Sequence, residues 1–120
     1  MNTKIHTNSV AVVSGGARGI GFGCAMALLL PRVSILRWLI CVKRKSTKPP
    51  TNFGRLGAQA ETFVADVSDF AKAQDVAQEI VGQDRSINVL LNNAGIESSN
   101  GLLEISEAEW DRTIDINLKL

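Results

Sequence analysis

The sequence predicts an α/β fold built on an open parallel sheet, and three observations carry that expectation. Val10 to Val13 and Ile87 to Leu91 are short apolar runs, each stopped by a turn of small polar residues and glycine. Phe70 to Val81 has helical spacing of its apolar residues. Strand and helix candidates alternate along the chain, as they do where crossover helices join parallel strands.

The first strand candidate, Val10 to Val13, runs into Ser14, Gly15 and Gly16, and the small and apolar residues from Gly19 to Leu30 suit a helix packed on a sheet. Pro31 ends that helix, because proline lacks the N–H and clashes with the preceding turn. Val33 to Val42 reads as a second buried strand. Glu61 to Val67 alternates apolar and polar residues as a third strand, and either Ser68 or Asp69 can cap the helix after it. In that helix Phe70, Ala73, Val76, Ala77, Ile80 and Val81 are expected to form one buried face. Ile87 to Leu91 is the fourth strand, ending at Asn92, Asn93, Ala94 and Gly95. Ser106 and Glu109 then form a capping box, starting a helix whose Trp110, Ile114 and Leu118 are expected to line its inner face.

With 120 residues the chain fits one domain, and its 45% hydrophobic and 21% charged residues are those of an ordinary globular protein. The net charge of +1 hides a split: all 12 acidic residues lie from Glu61 onward, and nine of the 13 basic ones lie before it. The basic residues are mostly single and set among apolar ones, with Lys43, Arg44 and Lys45 the one run, so a nucleic-acid partner is not expected. Cys24 and Cys41 make neither a disulfide framework nor a zinc site, and the expected setting is reducing and cytoplasmic, with no metal. The amino terminus lacks a signal-peptide pattern, and Leu28 to Val42 is interrupted by Pro31, Arg32 and Arg37. That stretch falls short of the roughly 20 apolar residues a bilayer span needs, so no membrane association is expected.

The turn V-V-S-G-G-A-R-G-I-G places Gly15, Gly19 and Gly21 between the first strand and the first helix. Lack of a Cβ allows a sharp turn at Gly15, close approach of a pyrophosphate at Gly19 and tight helix packing at Gly21. The unpaired N–H groups at the helix start can then receive phosphates. A glycine-rich turn with no ligand is the competing reading, and the spacing differs from the common G-x-G-x-x-G fingerprint.

The spacing G-x-x-x-G-I-G resembles the short-chain dehydrogenase/reductase family, and members similar to 3-oxoacyl-acyl-carrier-protein reductases in particular. Ser14 stands where that family has threonine, which keeps the hydroxyl. Three further segments fit the family in order: Asp66 with Val67, the N-N-A-G turn at Asn92 to Gly95, and Asn117 in D-I-N-L. The resemblance covers Val10 to Gly21 and Gly57 to Leu120. It implies a Rossmann-type, doubly wound parallel sheet and hydride transfer between NAD or NADP and a small-molecule carbonyl or secondary alcohol.

On that resemblance Arg18 and Ile20 would flank the pyrophosphate and nicotinamide ends of the cofactor. Asp66 would accept from the adenine amino group and the Val67 N–H would meet a ring nitrogen; the alternative for Asp66 is a helix N-terminal acid. Asn93, Ala94 and Gly95 would pass close to the cofactor ribose, or form simply an Asn-rich turn. Asn117, expected on the buried stripe of its helix, would hold a water in a proton relay, or be a satisfied core asparagine.

Two departures from the family stand out. Pro49, Pro50 and Gly54 forbid a regular helix where the family has its second, leaving an atypical segment at about residues 31–55 within one incomplete dinucleotide-binding domain over 1–120. A reading frame that shifted and recovered would produce such a stretch, and an intact frame in the nucleotide sequence would sink that explanation. No acid stands about 20 residues after the glycine turn, which favours NADP over NAD. Lys43 and Arg44 read either as contacts to a 2′-phosphate or as a solvated charge run. The second departure is chemical: the chain contains no tyrosine and stops short of the family's Y-x-x-x-K segment. Lys119 lies on the wrong element to replace the lysine. The chain is thus expected to be the truncated, cofactor-binding half of an oxidoreductase, inactive alone, with a non-catalytic nucleotide-binding fragment or a non-functional truncated product as the alternatives. An unpaired fourth strand would favour aggregation over the family's ordered homo-oligomer.

Overall fold

Val10–Ser14 carries no large polar side chain, and all five residues are buried. A strand buried along its whole length must be covered on both faces, which places it in the middle of a sheet rather than at its edge. The computed structural model describes residues 9–29, 35–40, 59–84, 86–101 and 103–119. In it β1 (Val10–Ser14) lies between β2 (Ile35–Ile40) and β4 (Val89–Leu91), with β3 (Gln59–Val64) beyond β2, giving the order β3-β2-β1-β4. All pairings are parallel, with Val10 opposite Ile35, Val13 opposite Leu91 and Ile40 opposite Val64. The helices are α1 (Gly19–Leu29), α2 (Phe70–Asp84) and α3 (Glu107–Asn117).

The two-residue period of β1 divides the core. Ala11 and Val13 point to one face, where Ala25, Phe22, Met26 and Leu28 of α1 pack on them. Val10 and Val12 point to the other, where Ile80 and Val76 of α2 join Phe63 of β3. Helices thus cover opposite faces, and the sheet is doubly wound as the sequence led one to expect. Because β2 and β4 leave β1 in opposite directions, a crevice opens at the carboxyl ends of β1 and β4, where open α/β sheets bind ligands.

Several boundaries and faces differ from expectation. The third strand stops at Val64, not Val67, because Asp66 turns the chain: its Oδ1 accepts from the Ser68 N–H at 3.0 Å and the Ser68 hydroxyl at 2.6 Å. Asp69, rather than Ser68, caps α2, accepting at Oδ1 from the Lys72 N–H at 3.1 Å. The core-facing line of α2 is Ala73, Val76 and Ile80, whereas Phe70 is 78% exposed at the first helical position and Ala77 and Val81 are also exposed. β4 begins only at Val89, because the Asn88 side chain replaces one strand pairing: its Oδ1 accepts from the Val10 N–H at 2.8 Å, while the Asn88 backbone N–H donates to the Val10 carbonyl at 2.9 Å. β4 is an edge among the described residues, and Leu90 is 60% exposed rather than buried.

In α3 the capping box forms as the sequence dictates, with the Ser106 hydroxyl accepting from the Glu109 N–H. The inner face does not match expectation. Ile116 is buried to 1%, while Trp110 and Leu118 are 53% and 73% exposed. The helix presents the Glu109, Thr113 and Ile116 side to the rest of the domain, rotated from the Trp110–Leu118 stripe. Among the described residues no helix is long and apolar enough to cross a membrane. The atypical segment, with Lys43, Arg44, Pro49, Pro50 and Gly54, lies outside the described residues except for β2.

Candidate cofactor-binding site

The crevice is built from two turns fastened to each other. Ser14, the last residue of β1, is buried, and its hydroxyl accepts from the backbone N–H groups of Asn93 and Ala94, each at 2.9 Å. The same hydroxyl donates to the Leu91 carbonyl at 3.4 Å. Asn93 returns the contact, its side-chain amide donating to the Ser14 and Gly15 carbonyls at 3.1 and 3.3 Å. A hydroxyl and an amide thus satisfy the backbone groups of both turns, which would otherwise be costly inside the fold.

The three glycines do three different jobs. Gly15 has φ +66°, and a Cβ there would lie 2.9 Å from the Ala94 Cα, so the two turns approach too closely for any side chain. At Gly21 a Cβ would lie 2.5 Å from the Gly15 carbonyl oxygen and would also strike the Asn93 amide. The tight packing at Gly21 is therefore against the turn and Asn93 rather than against the sheet. Gly19 has φ +58°, yet a Cβ on it would meet nothing within 4 Å. The space before Gly19 is open, and it lies where α1 begins.

The first hydrogen bond of α1 runs from the Phe22 N–H to the Arg18 carbonyl at 3.3 Å, so the amides of Gly19, Ile20 and Gly21 precede the helical ladder. Arg18 and Ile20 are exposed, and Arg18 lines a cleft of about 560 Å³ with Gly95, Ile96 and Glu97. Ile96 and Glu97 were not singled out by sequence, since nothing in the local pattern tells which residues past the N-N-A-G turn face Arg18. Asp66 is exposed and Val67 is buried, both just past β3 at the far side of the sheet from β4.

Asn117 is exposed, not part of a buried stripe. Its side chain pairs with the backbone of Ile96 as a strand would, Oδ1 accepting from the Ile96 N–H at 2.9 Å and Nδ2 donating to the Ile96 carbonyl at 2.8 Å. A helical residue so holds the segment that leaves β4. Lys119 pairs with Asp115 one turn back on the surface, and that carboxylate raises its pKa. Among the described residues no three His, Cys, Asp or Glu side chains gather as a metal-ligand set.

Glu109 joins a second set of contacts. Its Oε1 accepts from the Asn100 amide at 2.9 Å and the Ser98 hydroxyl at 3.1 Å, and its Oε2 accepts from the same amide at 2.8 Å. The Ser106 N–H and hydroxyl reach Oε2 from the cap side. These donors, Asn100 foremost, hold the carboxyl below the usual glutamate range. Because the folded pKa lies below the unfolded one, the contribution to stability is present at neutral pH and is lost as pH falls from about 4.3 through the lowered value. Protection of the Asn100 side-chain amide from hydrogen exchange, taken relative to the intrinsic rate at each pH, should fall in that window in the native chain and not in Glu109→Gln; equal behaviour of the two would contradict the assignment.

The model of the short chain dehydrogenase family matches residues 9–119. The chain belongs to this family. Among its short chain dehydrogenase relatives, the 3-oxoacyl-acyl-carrier-protein reductase FabG of Staphylococcus epidermidis is 33% identical over 112 residues, covering 93% of this chain and 46% of that protein. FabG of Chlamydia muridarum is 34% identical over 120 residues, covering 98% and 47%. The chain spans about half the length of the curated relatives it matches. Among solved structures, a blue fluorescent protein from a metagenomic library in complex with NADPH superposes with a TM-score of 0.80 at 26% identity, covering 97% of this chain and 48% of that one. A short chain dehydrogenase from Mycobacterium smegmatis superposes at 0.82 with 24% identity, covering 96% and 48%, and shares the fold.

Proposed function

We propose that this short chain dehydrogenase chain is the dinucleotide-binding part of an NAD(P)-dependent oxidoreductase acting on a small-molecule carbonyl or secondary alcohol. The observation that carries the reading is the junction of the two turns at the switch point, with open space beside Gly19 at the start of α1. In this reading the amides of Gly19 and Ile20 receive the pyrophosphate and Arg18 adds a positive charge beside it. Asp66 accepts from the adenine amino group. The Val67 N–H meets a ring nitrogen, and Asn93, Ala94 and Gly95 line the ribose next to the nicotinamide. The nicotinamide, when bound, supplies or takes the hydride.

The 120 residues contain no tyrosine, the family's proton donor, and among them Asn117 supplies at most one step of the relay. This stretch by itself is read as binding without turnover. The absent acid after β2 favours NADP over NAD, and the NADPH complex of a structural neighbour is in keeping with this. Calorimetric titration of the 120-residue chain with NADPH, NADH and ADP-ribose, alongside a turnover assay, tests the reading. Binding with NADPH tighter than NADH and no turnover is expected. Failure to bind any of the three would overturn the cofactor reading, and turnover by the chain alone would overturn the claim of inactivity.

A further inference from the structure

The segment from Asn92 to Ser98 has no regular secondary structure, so side-chain contacts must set its position. Ser14 of β1 fastens its first part at Asn93 and Ala94, and two clamps carried by α3 hold the rest. Asn117 grips Ile96 at one end, and Glu109 grips Ser98 and Asn100 at the other. The Asn100 N–H also donates to the Ser98 hydroxyl at 3.1 Å, which ties the two gripped residues together. Glu97 lies between the clamps, and with Ile96 it lines the cleft together with Arg18.

The end of the cofactor that meets this wall follows from the strand order. Asp66 lies past β3 at one side of the sheet and Gly95 past β4 at the other, with the glycine turn of β1 between. An extended dinucleotide with its adenine at Asp66 and its pyrophosphate at Gly19 arrives at Gly95 to Glu97 with its nicotinamide. We propose that Glu109 is a positioning residue for the nicotinamide end of the cleft: through Ser98 and Asn100 it fixes the wall formed by Ile96 and Glu97. The inference rests on the cofactor reading above. Glu109 touches no cofactor atom itself and acts through the loop. Its acceptors are fully engaged by neutral donors, so the clamp keeps its geometry without a counter-charge.

The test compares NADPH with 2′-phospho-ADP-ribose, which keeps the adenine and pyrophosphate and lacks the nicotinamide. Asn100→Ala removes the amide from Glu109 and leaves the cap of α3 and the cleft lining intact. It should weaken NADPH about fivefold, as expected for loss of hydrogen bonds to a charged group, and 2′-phospho-ADP-ribose less than about twofold. Glu109→Gln retains a capping side chain and one acceptor oxygen, and should give a smaller shift in the same direction. Ser106→Ala loosens the start of α3 without touching Asn100 or Ser98, so it should lower the melting temperature and keep the native ratio of the two affinities. Equal weakening of both ligands by Asn100→Ala, or of neither, would overturn the proposal, as would a shifted ratio in Ser106→Ala. A native chain that binds 2′-phospho-ADP-ribose as tightly as NADPH would overturn it while leaving the cofactor reading in place. A native chain that binds neither overturns both.

Discussion

Gly21→Ala should destabilise the domain by about 2 kcal/mol and weaken dinucleotide binding at least about tenfold. Helix propensity alone argues the reverse, since alanine is favoured over glycine by about 1 kcal/mol in a helix interior. Sterics decide the sign. The new Cβ would lie 2.5 Å from the Gly15 carbonyl oxygen and 3.0 Å from its carbon, and backbone cannot rotate aside as a side chain would. The Asn93 amide is in the way as well, so relief of the clash breaks its bonds to the Ser14 and Gly15 carbonyls. Those losses add to an overpacking cost of about 1–3 kcal/mol. Gly19→Ala offers the contrast. Its Cβ would meet no protein atom within 4 Å, leaving only the cost of φ +58°, about 1–2 kcal/mol for a residue with a side chain. If the open side of Gly19 is where the pyrophosphate lies, Gly19→Ala loses affinity out of proportion to its lost stability. Thermal melts and NADPH titrations of the two variants measure this, and parallel losses in Gly19→Ala would place the ligand elsewhere.

Much of the fold was legible because its signals are local. β1 is an unbroken apolar run, the glycine turn requires residues without a Cβ, and the cap of α3 is a spacing of three residues between Ser106 and Glu109. What sequence did not disclose depends on long-range placement. Periodicity showed that Trp110, Ile114 and Leu118 share a face, but not which face the domain would cover. The answer came from Asn117, which must reach Ile96, 21 positions away, and from Glu109, which must reach Asn100, nine positions away. These two contacts turn Ile116 inward and leave Trp110 exposed. Glu109 itself was found by its capping role, and its second role could not be, because the loop from Ser98 to Asn100 has no pattern of its own. Asn88 shows the same limit at the start of β4, where a side chain took the place of a strand pairing.

Ser14→Ala is the other substitution with a large expected effect, and it tests whether the two turns are held by the hydroxyl or by packing. Ser14 is 3% exposed, and its oxygen accepts from two backbone N–H groups at 2.9 Å. Alanine would leave the N–H groups of Asn93 and Ala94 without that acceptor, at about 1–3 kcal/mol for each one left unsatisfied, so a net loss of about 3 kcal/mol is expected. The apolar gain from removing a hydroxyl is small beside this. Ser14→Thr keeps the oxygen and should stay within about 1 kcal/mol of the native chain, and threonine is the residue the resemblance puts at this position. Denaturant titration would show the split, with NADPH affinity following stability because the same bonds set the shape of the crevice. If alanine and threonine behaved alike, the junction would owe its geometry to the close approach of Gly15 to Ala94. The hydroxyl would then be a consequence of that approach rather than its cause.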